Sequence, residues 1–165
     1  MTKVGQPFGA NQGGYFNDFL ECNLVCHYLN GMMIHVNDQN VESYQFYYAS
    51  NGDDQSSVKS QIHGDQSFTT KKEFMFDKND KIYKVRGQLI GEDILLPNGT
   101  KIKTVRITGL EFFSEGGQMS PSYDGPLGEP FTDELDGYTL GYVTGRASQH
   151  IHQLQFVWYR TVDAC

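Results

Sequence analysis

An all-β fold is what this 165-residue sequence predicts, on three observations. The composition sets 18 Gly, 10 Tyr and 11 Phe against 20% charged residues, a mixture that suits turn-rich pleated chains better than helical bundles. Short runs of alternating apolar and polar residues sit between Asn-Gly and Gly-Gly turn signals. One hexamer pattern recurs three times: Val41-Glu42-Ser43-Tyr44-Gln45-Phe46, Ile107-Thr108-Gly109-Leu110-Glu111-Phe112 and Ile151-His152-Gln153-Leu154-Gln155-Phe156. Each copy runs from a β-branched residue through mostly polar positions to Tyr or Leu, then a polar residue, then Phe.

Turn signals at Asn30-Gly31, Asn51-Gly52, Asn98-Gly99, Gly116-Gly117 and Gly125 to Pro130 divide the chain into short extended runs. Two of these, Lys81-Ile82-Tyr83-Lys84-Val85-Arg86 and Thr100-Lys101-Ile102-Lys103-Thr104-Val105, alternate cleanly. No stretch of a dozen residues carries a helical period. The expectation is about a dozen short antiparallel strands in three groups, closed or prism-like so that few edges stay open. In each hexamer Tyr or Leu shares a face with Phe, whereas the first residue, an odd number of positions away, falls on the opposite face. The core is therefore expected to hold Tyr44, Phe46, Leu110, Phe112, Leu154 and Phe156.

Thirteen basic against 20 acidic residues give a net charge of −7, and no Lys/Arg cluster is spaced to follow phosphates, which argues against nucleic acid. Apolar runs such as Ile94-Leu95-Leu96 fall far short of the ~20 residues of a membrane helix. The length suits one domain over residues 1–165. The N-terminus shows no charged-then-apolar leader; the expectation is a soluble chain that, if secreted, has already lost its signal. Three cysteines leave one unpaired within a chain. Cys22 and Cys26, four residues apart, would stand about 13 Å apart on one strand, beyond disulfide reach. The terminal Cys165 is expected to join a partner chain's cysteine in a covalent homodimer under oxidising conditions.

Three further segments point to a family. Phe8-Gly9-Ala10-Asn11-Gln12-Gly13-Gly14, Tyr123-Asp124-Gly125-Pro126-Leu127-Gly128-Glu129-Pro130-Phe131 and Leu140-Gly141-Tyr142-Val143-Thr144-Gly145-Arg146, in that order and spacing, resemble the jacalin-related lectins. The resemblance covers nearly the whole chain and is thinnest between about Gln55 and Leu96. It implies a β-prism of three four-stranded Greek-key sheets with pseudo-threefold symmetry. It also implies carbohydrate binding at one end of the prism, association through prism faces, secretion, no catalysis and no cofactor.

In such lectins an N-terminal double glycine faces a Gly-x-x-x-Asp loop whose backbone N–H groups and carboxylate hold sugar hydroxyls. Gly13-Gly14 matches the first element; Ser148-Gln149-His150-Ile151-His152 takes the place of the second, with Ser148 for Gly and His152 for Asp. An ionised carboxylate accepts two hydroxyls, whereas a neutral imidazole offers one acceptor and one donor. The backbone donors of Gln149 and His150 gain weight accordingly. The repeat supplies a second site: Glu42 corresponds to His152, Asp38-Gln39-Asn40-Val41-Glu42 has the matching loop length, and His63-Gly64-Asp65 is the opposing glycine loop. Thr108, in the remaining copy, lacks charge.

Other chemistries fit less well. His150 and His152 share a face of an extended segment and lack a third ligand at zinc-like spacing. Ser148 near His150 has no nucleophile elbow, and Asp124, Glu129, Asp133 and Glu134 form an acidic cluster that suits a solvated loop as well as a glycosidase pair. Tyr15, Tyr123 and Tyr142 are available to stack on a pyranose. Asn98-Gly99-Thr100 is a sequon and, first of all, a hairpin turn. The function expected is a non-catalytic lectin for mono- or oligosaccharides and glycoproteins. The alternative is a structural or assembly protein that uses acidic loops of the same scaffold to meet protein or mineral surfaces.

Overall fold

The computed structural model describes residues 2–37, 40–51, 57–67, 70–121 and 128–160. In chain order they form β1 (Thr2–Val4), β2 (Phe8–Gly9), β3 (Gly14–Asn17), the short helix α1 (Asp18–Cys22), β4 (His27–Asn37) and β5 (Asn40–Ser50). There follow β6 (Ser57–Lys59), β7 (His63–Gly64), β8 (Thr70–Met75), β9 (Ile82–Leu95), β10 (Lys101–Ser114), β11 (Glu129–Glu134), β12 (Tyr138–Ala147) and β13 (Ile151–Arg160).

Three antiparallel sheets result, each centred on a long hairpin. One runs β1-β13-β12-β3 with β2 also on β13, one runs β6-β5-β4-β8 with β7 also on β5, and one runs β10-β9-β11. The third sheet has three described strands where the family plan has four. Their inner faces meet in one core in which Tyr44, Phe46, Leu110, Phe112, Leu154 and Phe156 are each at most 2% exposed. The Phe46 and Phe112 rings approach to 6.4 Å between centroids, so the repeats pack directly on one another.

The expectation that the first residue of each hexamer faces away from the core is wrong. Val41, Ile107 and Ile151 are also buried. Val36 opposes Val41 while His35 opposes Ser43, Ile107 opposes Leu89 while Gly109 opposes Gln88, and Ala147 opposes Ile151 while Arg146 opposes Gln153. Glu42, Thr108 and His152 are therefore the extra residues of three equivalent β-bulges, and one inserted residue turns an odd separation into an even one. The backbone repeats as well: the N–H groups of Gly5, Ser60 and Ser120 donate to the carbonyls of Phe156, Phe46 and Phe112 at 2.9, 2.8 and 3.0 Å.

Asn30-Gly31 is not a turn. It lies inside β4, where Asn30 is the extra residue opposite the Tyr48–Tyr47 step. Asn98-Gly99 and Gly116-Gly117 do turn the chain, with Gly99 donating to the Leu96 carbonyl and Gly117 to that of Ser114. Asn17 caps α1 by accepting from the Leu20 N–H at 3.2 Å. The next residue, Asp18, is fully buried and accepts from the Tyr48 hydroxyl at 2.5 Å and from His63 Nε2 at 2.8 Å. Those donors make a buried carboxylate tolerable. They also tie α1 to β5 and to β7, which leads into the Gly64-Asp65 loop.

Cys22 is a free thiol whose pKa burial and the Asp18 carboxylate push up. Cys26 is disulfide-bonded. The expectations for Cys165, Tyr123, Asp124 and Asp38 fall outside the described residues.

Candidate functional site

The three bulges lie at one end of the prism, where their loops converge. In the last copy, Ser148 to His150 form a tight turn closed by the Ser148 N–H donating to the His150 carbonyl at 2.9 Å. Gly13 faces this turn with φ of 78°, and a Cβ there would stand 2.7 Å from the Ala147 carbonyl and 3.1 Å from His152 Cδ2. Only glycine suits that backbone. At Gly14 a Cβ would meet nothing nearer than 3.7 Å, so the protein's own packing does not require that glycine.

His152 is 7% exposed, and both of its ring nitrogens are engaged by the protein. Nδ1 lies 2.6 Å from the Val105 carbonyl oxygen and Nε2 lies 2.6 Å from Ser148 Oγ. A carbonyl only accepts, so Nδ1 carries the proton and Nε2 accepts from the serine hydroxyl. In the resting protein the imidazole is therefore a strut between β10 and the Ser148 turn rather than an acceptor aimed outward.

His150 points toward the first copy. Its Nδ1 is 3.4 Å from Glu42 Oε2, with the two side chains 32% and 15% exposed. Burial holds the His150 pKa below the usual histidine value; Glu42 opposes that shift, and Arg106 and His152 reinforce it. Arg106 itself pairs with Glu92 at 3.0 Å.

The first-copy loop repeats the glycine requirement. Gly64 has φ of 112°, and a Cβ there would stand 2.5 Å from the Glu42 carbonyl oxygen. That carbonyl accepts the Asp65 N–H at 3.2 Å, as the His152 carbonyl accepts the Ala10 N–H at 2.9 Å. Asp65 is held by the Ser67 N–H at 2.9 Å and hydroxyl at 2.7 Å through Oδ1. Those bonds keep its pKa below the usual carboxylate value. The two predicted sites thus stand side by side and touch through His150 and Glu42. Asn40 begins β5, and nothing is described of its side chain.

Several contributors were missed in the sequence. The Gln12 side chain donates to the Lys103 carbonyl at 2.9 Å and accepts the Val105 N–H at 3.0 Å, fastening the glycine loop to β10. Arg146 donates to the Gly13 carbonyl at 3.3 Å and lies 5.8 Å from the Tyr15 ring centroid. Nothing in the one-dimensional pattern brings residue 12 to residue 103. Tyr15 is 58% exposed beside this loop, whereas Tyr142 packs on Phe19 and Tyr159. Of the acidic cluster, Asp133 accepts from the Trp158 indole at 3.2 Å, a packing role. Among the described residues no group of three or more His, Cys, Asp and Glu is placed to hold a metal ion.

The jacalin-like lectin domain profile matches residues 5–157. No curated protein matches the chain. Frutalin from Artocarpus incisa is similar in structure at 17% identity, with 96% of each chain covered and a TM-score of 0.71. Frutapin from the same species is 16% identical, covers 95% of this chain and 96% of its own, and gives 0.72. A mannose binding jacalin related lectin from Ananas comosus is 14% identical over 96% of this chain and 98% of its own, at 0.69. With its three bulged hairpins, its paired glycine loops and a profile match across most of its length, this chain belongs to the jacalin-like lectin domain family.

Proposed function

We propose that the protein is a non-catalytic lectin that binds a neutral hexose, such as mannose, with the first-copy loops as its principal site. Glu42 and the Gly64-Asp65 loop provide the carboxylates and backbone donors. Gln149 and His150 add backbone N–H groups from the last copy, and Tyr15 offers a ring beside Gly14. The observation that carries the choice is the engagement of both His152 ring nitrogens by Val105 and Ser148. A sugar hydroxyl would have to displace one of those bonds, whereas Asp65 keeps an oxygen at the surface. Single-sugar affinity should be in the millimolar range, about −4 kcal/mol, because open loops bury little area, and useful avidity then needs several sites in a homodimer or larger assembly.

A glycan array followed by calorimetry on Glu42→Ala and His152→Ala tests the reading. Loss of binding in Glu42→Ala with retention in His152→Ala is expected; the reverse would return the site to the last copy. The second reading, a scaffold or assembly protein, draws on the last-copy bulge having lost its carboxylate and turned its side chain inward. An array without hits would favour it. Secretion, and a homodimer held through prism faces, belong to the lectin proposal; with Cys26 disulfide-bonded and Cys22 free, the interchain Cys165 bridge is not part of it. Sedimentation and non-reducing electrophoresis check the assembly.

A further inference from the structure

We propose that the tip of the β9–β10 hairpin is a membrane-contact arm, which enters the interface of a bilayer bearing anionic lipid without spanning it. The proposal rests on the lectin reading only for its direction, since sugar loops turn this end of the protein toward a glycan-bearing surface.

The hairpin overshoots its two counterparts. Beyond the bulge, β12–β13 carries one further pair, Ala147 with Ile151, and β4–β5 carries two, ending at Asn37 with Asn40. The β9–β10 hairpin carries seven, from Leu89 with Ile107 to Leu95 with Lys101. Five extra pairs at ~3.4 Å each take it about 17 Å past the level at which the β4–β5 hairpin turns. The bulges share one end of the prism, so the overshoot lies on the side of the sugar loops.

A two-stranded ribbon alone in water is marginally stable, and this one is braced at its base. Gln12 bonds the Lys103 carbonyl and the Val105 N–H, His152 holds the Val105 carbonyl, and Arg106 pairs with Glu92 across the ribbon. The tip from Ile94 to Ile102 stands clear of that bracing. It is closed by a turn in which the Leu96 N–H donates to the Thr100 carbonyl at 2.7 Å and the Gly99 N–H to the Leu96 carbonyl at 2.9 Å.

The tip's side chains match the layers of a bilayer interface. Ile94 and Ile102 oppose each other and are 42% and 41% exposed, while Leu95, opposite Lys101, is 66% exposed. From Ile94 to Lys103 the sequence holds Lys101 and Lys103 and no acidic residue, in a chain whose net charge is −7. Asp93 opposes Lys103, which leaves Lys101 as the outermost charge. Ile94, Leu95 and Ile102 suit the acyl boundary, and an ammonium on a flexible stem reaches back to anionic headgroups. A second copy of the chain is a poorer occupant. A stable interface takes about 20–30 residues from each side, whereas the free tip has nine, and a bilayer needs no complementary contour.

Flotation of the intact chain with vesicles of phosphatidylcholine, alone and mixed with phosphatidylserine, tests this in the absence of any glycolipid. Partitioning onto the mixed vesicles should be at least tenfold stronger at millimolar lipid, and added salt should weaken it. Leu95→Ser and Lys101→Glu, both at exposed positions, should each lower it about tenfold or more, and both should bind the best array sugar as the wild type does. Because the vesicles carry no sugar, flotation with an array lacking hits would sustain the arm while sinking the lectin reading. No flotation, equal flotation with both vesicles, or flotation unchanged in Leu95→Ser would overturn the proposal. So would an oligomer that Leu95→Ser dissociates in sedimentation, which would make the tip a contact between copies.

Discussion

At Glu42 and at His152 the same β-bulge sends out a side chain toward an opposing glycine loop, yet the two side chains end in different company. Glu42 is 15% exposed and, among the described residues, meets the imidazole of His150 across 3.4 Å. His152 is fastened at both nitrogens to Val105 and Ser148. Equivalent backbone therefore does not secure equivalent chemistry. A bulge fixes where a side chain leaves the sheet, and the neighbouring hairpin decides whether that side chain reaches solvent. The β9–β10 hairpin presents the Val105 carbonyl to the last copy, which makes His152 a brace.

The largest expected difference is in binding. Glu42→Ala should weaken sugar affinity tenfold or more, about 1.4 kcal/mol or above, while His152→Ala should change it several-fold at most; titration calorimetry of the two variants against the best array sugar reads both. Equal losses would break the contrast drawn between the bulges.

Next comes stability. His152→Ala leaves the half-buried Val105 carbonyl and the exposed Ser148 hydroxyl without their partner, which should cost about 0.5–1.5 kcal/mol, the net worth of a hydrogen bond whose lost partner water can replace. Chemical denaturation should show that loss, and Glu42→Ala should cost less because no buried backbone group depends on it. A more stable Glu42→Ala than wild type would mean that the His150–Glu42 contact opposes folding.

Gly64→Ala and Gly13→Ala sharpen the comparison through the backbone. Both force a side chain onto positive φ against a carbonyl, at about 1–3 kcal/mol each. Gly64→Ala should also reduce sugar binding, whereas Gly13→Ala should mainly lower the melting temperature.

The smallest effect is that of pH. Burial lowers the His150 pKa in the fold below its unfolded value of about 6.5, and His35 is shifted the same way by burial and Lys71. A depressed histidine pKa means that the unfolded chain takes up protons first as pH falls. Stability is therefore full above about pH 6.5 and declines below it. Melting temperature measured at pH 7.5 and 5.5 should fall, and by less in His150→Gln. An unchanged slope in that variant would remove His150 as a contributor.

Much of this was legible in the chain itself. Alternation and turn residues determined the all-β class, because the period of a strand is local and needs no partner to be seen. The three hexamers determined the repeat and its core, from Tyr44 and Phe46 to Leu154 and Phe156. The glycines at 13 and 64 marked the loops because positive φ is a property of one residue. What the sequence could not decide was anything that depends on which strands become neighbours. A bulge is defined by the opposite strand, so the burial of Val41, Ile107 and Ile151 was read in reverse, and Asn30-Gly31 passed for a turn. The engagement of His152 with Val105, the reach of Gln12 to Lys103 and the approach of His150 to Glu42 join residues 47, 91 and 108 positions apart. Only closure of the prism brings them within hydrogen-bonding or ion-pairing distance, and that closure fastens His152 to Val105 and Ser148 while it sets Glu42 against His150.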